Sequence, residues 1–97
     1  MSSDNLRELL AEHMATPFPT SVEKGLDYGS ADAVMIGADI YGLASQVESG
    51  KMIRSDVRSM LGACERELSE SLDEFPEEAR PYYAHLLRIA RAALARG

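Results

Sequence analysis

The segment Ser30-Ala31-Asp32-Ala33-Val34-Met35-Ile36-Gly37-Ala38-Asp39-Ile40-Tyr41-Gly42-Leu43-Ala44-Ser45-Gln46-Val47-Glu48-Ser49-Gly50 decides the fold class. At about 100° per residue, Ala33, Ile36, Gly37, Ile40, Leu43, Ala44 and Val47 fall in one broad sector, with Val34 and Tyr41 at its edges. That period is helical. Ser30 is a good N-cap, Asp32 suits the positive first turn, and Gly50 is a fitting stop. The spacing predicts a helix over residues 31–49, placed at the centre of the fold because its apolar face is wide.

Three further segments repeat the pattern. Residues 4–15 follow a Ser3 or Asp4 cap and put Leu6, Leu9, Leu10, His13 and Met14 on one face. Residues 55–75 follow Ser55, with Val57, Met60, Leu61, Cys64, Leu68, Leu72 and Phe75 in a stripe. Residues 76–95 open on Pro76, Glu77 and Glu78 and turn Tyr82, Tyr83, Leu86, Ile89, Ala90 and Ala93 inward. Pro81 removes a backbone bond to Glu77 and should kink this helix or split it at Arg80. The expected fold is all-α: one domain, residues 1–97, in a four-helix arrangement. Residues 16–30 form a long connection with some structure of its own. Thr20 to Glu23 has capping-box spacing, Leu26 to Gly29 reads as a turn, and Phe18, Leu26 and Tyr28 would cover one end of the core.

Composition narrows the class. Ninety-seven residues suffice for one domain, and 45% apolar with 27% charged residues is globular. A net charge of −6 disfavours nucleic acid and anionic membranes, which select basic surfaces. One cysteine, Cys64, allows no internal disulfide. The opening residues lack the basic start and apolar stretch of a signal peptide, so the expected location is the cytoplasm. No phosphate-binding glycine loop, nucleophile elbow, paired cysteine ligands or His-Glu-x-x-His occurs, and no catalytic residue, cofactor or metal is assigned.

Single residues carry competing readings. His13 interrupts the apolar stripe of the first helix. It is either a partly buried packing histidine or a base or ligand at a pocket shared with Asp27, Tyr28 and Asp39. His85 reads as solvent-exposed on the last helix, and Cys64 as a small buried hydrophobe. Gly37 lies inward among small residues, whereas Gly42 lies outward. Charge is segregated. Residues 65–78 hold seven acids and one base, and residues 80–97 hold four arginines and no acid. Glu67, Glu70, Glu74, Glu77 and Glu78 form an acidic strip. It is either a solvated face attracted to those arginines or a surface for a basic protein.

Residues 28–42, Tyr28-Gly29-Ser30 through Ile40-Tyr41-Gly42, with Phe75-Pro76-Glu77-Glu78-Ala79-Arg80-Pro81-Tyr82-Tyr83, resemble small acidic all-helical proteins of high-GC bacteria. The general plan is similar to that of small helical immunity proteins that neutralise toxins. No immunity motif matches residue by residue, so this likeness carries over no site and implies only a non-enzymatic binding role. The leading expectation is therefore an interaction module for a basic protein partner. The alternatives are a ligand-binding domain or small enzyme with a pocket around His13 and residues 16–30, and a homodimer formed through the second and fourth helices.

Overall fold

In a computed structural model, which describes residues 5–23, 25–49 and 55–96, the chain forms four α-helices and one small hairpin. The order is α1 (Leu6–Ala15), β1 (Asp27–Tyr28), β2 (Ala31–Asp32), α2 (Met35–Glu48), α3 (Ser55–Ser71) and α4 (Arg80–Arg96), with 3₁₀ turns at Leu72–Glu74 and Glu77–Ala79. The Ser3 and Asp4 caps and the Gly50 stop fall outside the described residues.

Each helix boundary has a local cause. Asn5, at the N-cap of α1, accepts the Glu8 amide on its Oδ1 at 3.2 Å. Thr16 ends α1 in extended backbone (φ −96°, ψ 124°), as a residue before proline prefers. The second helix starts later than expected. Asp32 Oδ1 accepts the amides of Val34 and Met35 at 2.9 and 2.8 Å, so Asp32 rather than Ser30 satisfies the first turn. Pro81 splits the last helical segment at the expected place. The chain makes a 3₁₀ turn over Glu77–Ala79 and restarts as α4 at Arg80, which leaves Pro81 in a first turn where its missing N–H costs nothing.

The hairpin corrects the reading of residues 16–30. Asp27 pairs with Asp32 and Tyr28 with Ala31 in an antiparallel ladder closed by Gly29 and Ser30. Gly29 has φ +65° and Ser30 does not have positive φ, the pattern of a type II′ turn. A Cβ at Gly29 would also lie 2.6 Å from Ser71 Oγ. Buried Ser71 accepts the Ser30 amide at 3.1 Å and so pins the hairpin to the end of α3. The capping box at Thr20 does not form, because the Glu23 amide donates instead to the Tyr28 hydroxyl at 3.1 Å. Over the core, Phe18 and Tyr28 pack as expected, but Leu26 is exposed and Val22 is buried in its place.

α2 and α4 form the central pair, and each packs on all the other helices. The apolar faces of α2 and α4 are as read, with Ile36, Ile40, Ala44, Leu86, Ile89, Ala90 and Ala93 at or near zero exposure. Tyr83 is fully buried and donates its hydroxyl to the Ala33 carbonyl at 2.7 Å. Its ring stacks on Phe75 (centroids 3.9 Å), and Phe75 stacks on Tyr28 (4.9 Å). Two stripe residues leave the core: Met14 is 69% exposed and Met60 52%. Cys64 is half-buried rather than buried. Burial first, and then the carboxylates of Asp39 and Glu67, push its thiol up.

Gly37 is buried, and a Cβ there would lie 3.3 Å from Leu86 Cδ1, whereas one at Gly42 would meet nothing within 4 Å. Gly37→Leu should therefore destabilise by about 1–3 kcal/mol through overpacking of α2 on α4. Gly42→Ala should be neutral or stabilise by up to about 1 kcal/mol through helix propensity. Tyr83→Phe should cost about 1–2 kcal/mol by orphaning the buried Ala33 carbonyl. Urea denaturation of the three variants checks all three magnitudes. A reversed order for the two glycines would mean that the buried face of α2 is wrongly assigned.

Candidate functional site

A concavity that carries titratable side chains lies where the end of α1 meets the start of α4. Glu12, His13, Thr16, Pro17 and Pro19 wall one side of a groove of about 540 Å³. Glu78, Pro81, Tyr82 and His85 wall the other. On the far side of His13 and Tyr82 is a smaller apolar hollow of about 230 Å³, bounded by Met14, Phe18, Val34, Ala38 and Tyr41. The His13 and Tyr82 side chains are the partition between the two.

Local structure explains each wall. His13 sits in the last turn of α1, and its ring packs 5.5 Å from Tyr41 on α2 and 5.3 Å from Tyr82 on α4. Phe18, carried over the partition by the Pro17-Phe18-Pro19 segment, meets the Tyr82 ring edge-on at 5.7 Å. Glu78, Pro81, Tyr82 and His85 recur at three- and four-residue spacing, so one stripe of the fourth segment faces the groove.

The two imidazoles differ. His85 Nε2 lies 2.8 Å from the Leu9 carbonyl, and because a carbonyl only accepts, this nitrogen carries a proton and donates. Glu12 Oε1 is 3.8 Å from the same nitrogen. His13 Nδ1 is sealed from solvent and has no hydrogen-bond partner among the described residues. Burial, and then the neighbouring His85, hold the His13 imidazole below its ordinary range, so it is neutral at pH 7. Burial alone pushes the Tyr82 phenol up, which keeps it protonated.

Of the four residues expected at a shared pocket, only His13 lines the groove. Asp27 is exposed on β1, Tyr28 is occupied with Phe75 and the Glu23 amide, and Asp39 is exposed on α2 on the side that faces Cys64. The hairpin draws Asp27 and Tyr28 towards α3 and away from α1. His85, expected in solvent, is instead four-fifths covered and tethers α4 to α1. A helical wheel shows that Tyr82 and His85 share a face, but it does not show that the end of α1 covers that face. Among the described residues, no group of three or more His, Cys, Asp or Glu side chains is placed to hold a metal ion, and no helix is long and apolar enough to cross a membrane.

The acidic strip runs from the end of α3 through both 3₁₀ turns. Glu70, Glu74, Glu77 and Glu78 are exposed, whereas Glu67, expected to face outward, is half-buried. Two arginines of the following segment are engaged elsewhere. Arg91 donates to Glu65 at 2.9 Å, and Arg80 donates to the Phe75 and Asp73 carbonyls at 3.1 and 3.0 Å. Among the described residues, none of the five carboxylates of the strip is in an ion pair.

In comparisons with protein-family models, curated proteins and solved structures, no match to this chain is found.

Because the fold favours neutral His13, the unfolded chain takes up a proton there more readily. The contribution of His13 to stability is complete above about pH 6.5, the ordinary imidazole value, and is lost as the pH falls from there towards its lowered folded value. Unfolding free energy measured from pH 7.5 to 5 should fall more steeply for the parent than for His13→Gln. Parallel curves would show that the buried imidazole carries no such penalty.

Proposed function

We propose that this chain is a non-enzymatic interaction module that binds a basic protein partner through its acidic strip. One observation carries the reading: among the described residues, the five carboxylates are in no ion pair, while Arg80 and Arg91 of the following segment are committed to other bonds. Had the strip served as the counter-face of α4, those arginines would be its nearest partners.

At the end of α3 the placement of the strip also costs stability, although Glu77 and Glu78 lie in a first turn that favours acids. A helix C-terminus carries partial negative charge and favours bases. Yet Glu70 lies in the last turn of α3 with no base there, and Glu67 lies just before it. Local rules broken without a local gain mark positions held for something other than folding. An exposed field of one sign raises the association rate with a partner of the opposite sign and rejects like-charged competitors. Neutralisation of a toxin-like basic protein is one concrete form of this role.

The triple variant Glu67→Gln, Glu70→Gln, Glu74→Gln separates folding from function. It should melt at the same temperature or slightly above the parent, because the unfavourable dipole contacts are removed. Used side by side as baits in a native lysate, the parent should retain a basic protein that elutes as salt rises, and the variant should not. With that protein in hand, the variant should associate more slowly and with a flatter salt dependence. Equal capture and equal rates would exclude the strip as the recognition surface, and a large drop in melting temperature would assign it a structural role.

A further inference from the structure

The groove between α1 and α4 has a chemistry that the strip alone lacks. Its walls are apolar: Pro17, Pro19 and Pro81 contribute rings, and Tyr82 contributes an aromatic body. Among the described residues its charged groups are the two carboxylates Glu12 and Glu78, and no described lysine or arginine lines it. Apart from the Tyr82 hydroxyl, the described walls of the groove offer few free donors. Each of the three prolines lacks a backbone N–H. The Thr16 hydroxyl already donates to the Glu12 carbonyl at 2.7 Å, and the His85 Nε2 proton is directed to the Leu9 carbonyl. An anion would find few donors and two like charges. A long cationic side chain finds both of its parts matched, since lysine and arginine lay their methylene stems on apolar surface and keep the charged head among acceptors.

We infer that this groove seats an arginine or lysine side chain of the basic partner, with its stem along Pro17, Pro81 and Tyr82 and its head between Glu12 and Glu78. This rests on the proposed role as a binder of a basic protein and supplies that surface with an anchor. Glu78 is common to both features, so the acidic strip leads directly into the groove. The strip steers the partner, and the groove fixes its register through one fully matched side chain, as anchors in interfaces do. A second copy of this chain, net acidic itself, is a poor occupant.

The test uses isotope-labelled protein at pH 7.5 and the capped peptide Gly-Gly-Arg-Gly-Gly, with its norleucine analogue and spermidine as comparison probes. Backbone amides of Thr16 and Tyr82 and the ring signals of Tyr82 and His85 are followed by NMR. The arginine peptide should move these signals in a saturable way at millimolar concentration, and the norleucine peptide should not. Glu12→Gln with Glu78→Gln, at two exposed positions, should weaken the effect about fivefold or more. If only signals of Glu67, Glu70 and Glu74 move, the groove is not the anchor and the acidic-strip reading stands. If no signals move in either place, both readings fall. Equal binding of the norleucine peptide would make the groove an apolar site, and binding of spermidine without the peptide would make it a polyamine site. Either result overturns the inference.

Discussion

The hydrogen bond from the Tyr83 hydroxyl to the Ala33 carbonyl is the constraint on which the remaining structure rests. Ala33 lies between the hairpin and α2, so this bond fixes where α2 begins relative to α4. Its amide is held as well, by the Leu26 carbonyl at 3.0 Å. A phenol buried without a partner would be costly, and so would the carbonyl, so each requires the other. Burial, and then the nearby Tyr82, Tyr28 and Asp32, push the Tyr83 phenol up, and the group therefore remains a donor at neutral pH.

From Tyr83 the packing extends in both directions through aromatic rings. Phe75 and Tyr28 continue it to the hairpin, and Tyr82, His13 and Tyr41 continue it to the groove, with Phe18 on the Tyr82 edge. All four tyrosines and both phenylalanines of the chain belong to this one connected set. Close-packed rings leave little room for independent rearrangement. The hairpin, the 3₁₀ corner and the partition between the two hollows are thus parts of a single packing unit. The groove is consequently a preformed feature of the core boundary.

Charge is distributed by a different logic. Two of the arginines after position 79 satisfy structural needs: Arg80 binds carbonyls at the corner and Arg91 binds Glu65. Among the described residues the acids of the strip are in no ion pair, and Glu70 sits at the unfavourable end of a helix dipole. This division places the basic groups in the service of the fold and leaves a concentrated negative field at one corner of the molecule.

The sequence by itself determined the helices, because a 3.6-residue apolar period is a local property that any folded partner must respect. Pro81 likewise announced the break at Arg80, since its ring and missing N–H act within one turn. The acidic strip was legible for the same reason, being consecutive in the chain. Tertiary structure alone decided the hairpin, whose two-residue strands are too short for alternation to register and are held by Ser71, forty-one residues beyond Ser30. It also decided which residues join His13. Asp27, Tyr28 and Asp39 are near it in sequence order along the first half of the chain, but the hairpin and α2 carry them elsewhere. His85, seventy-six residues after Leu9, meets the Leu9 carbonyl only because α1 packs across the face of α4. Periodicity reveals which side of a helix is apolar, but the element that covers that side is chosen by contacts between distant segments, and those contacts leave no local trace.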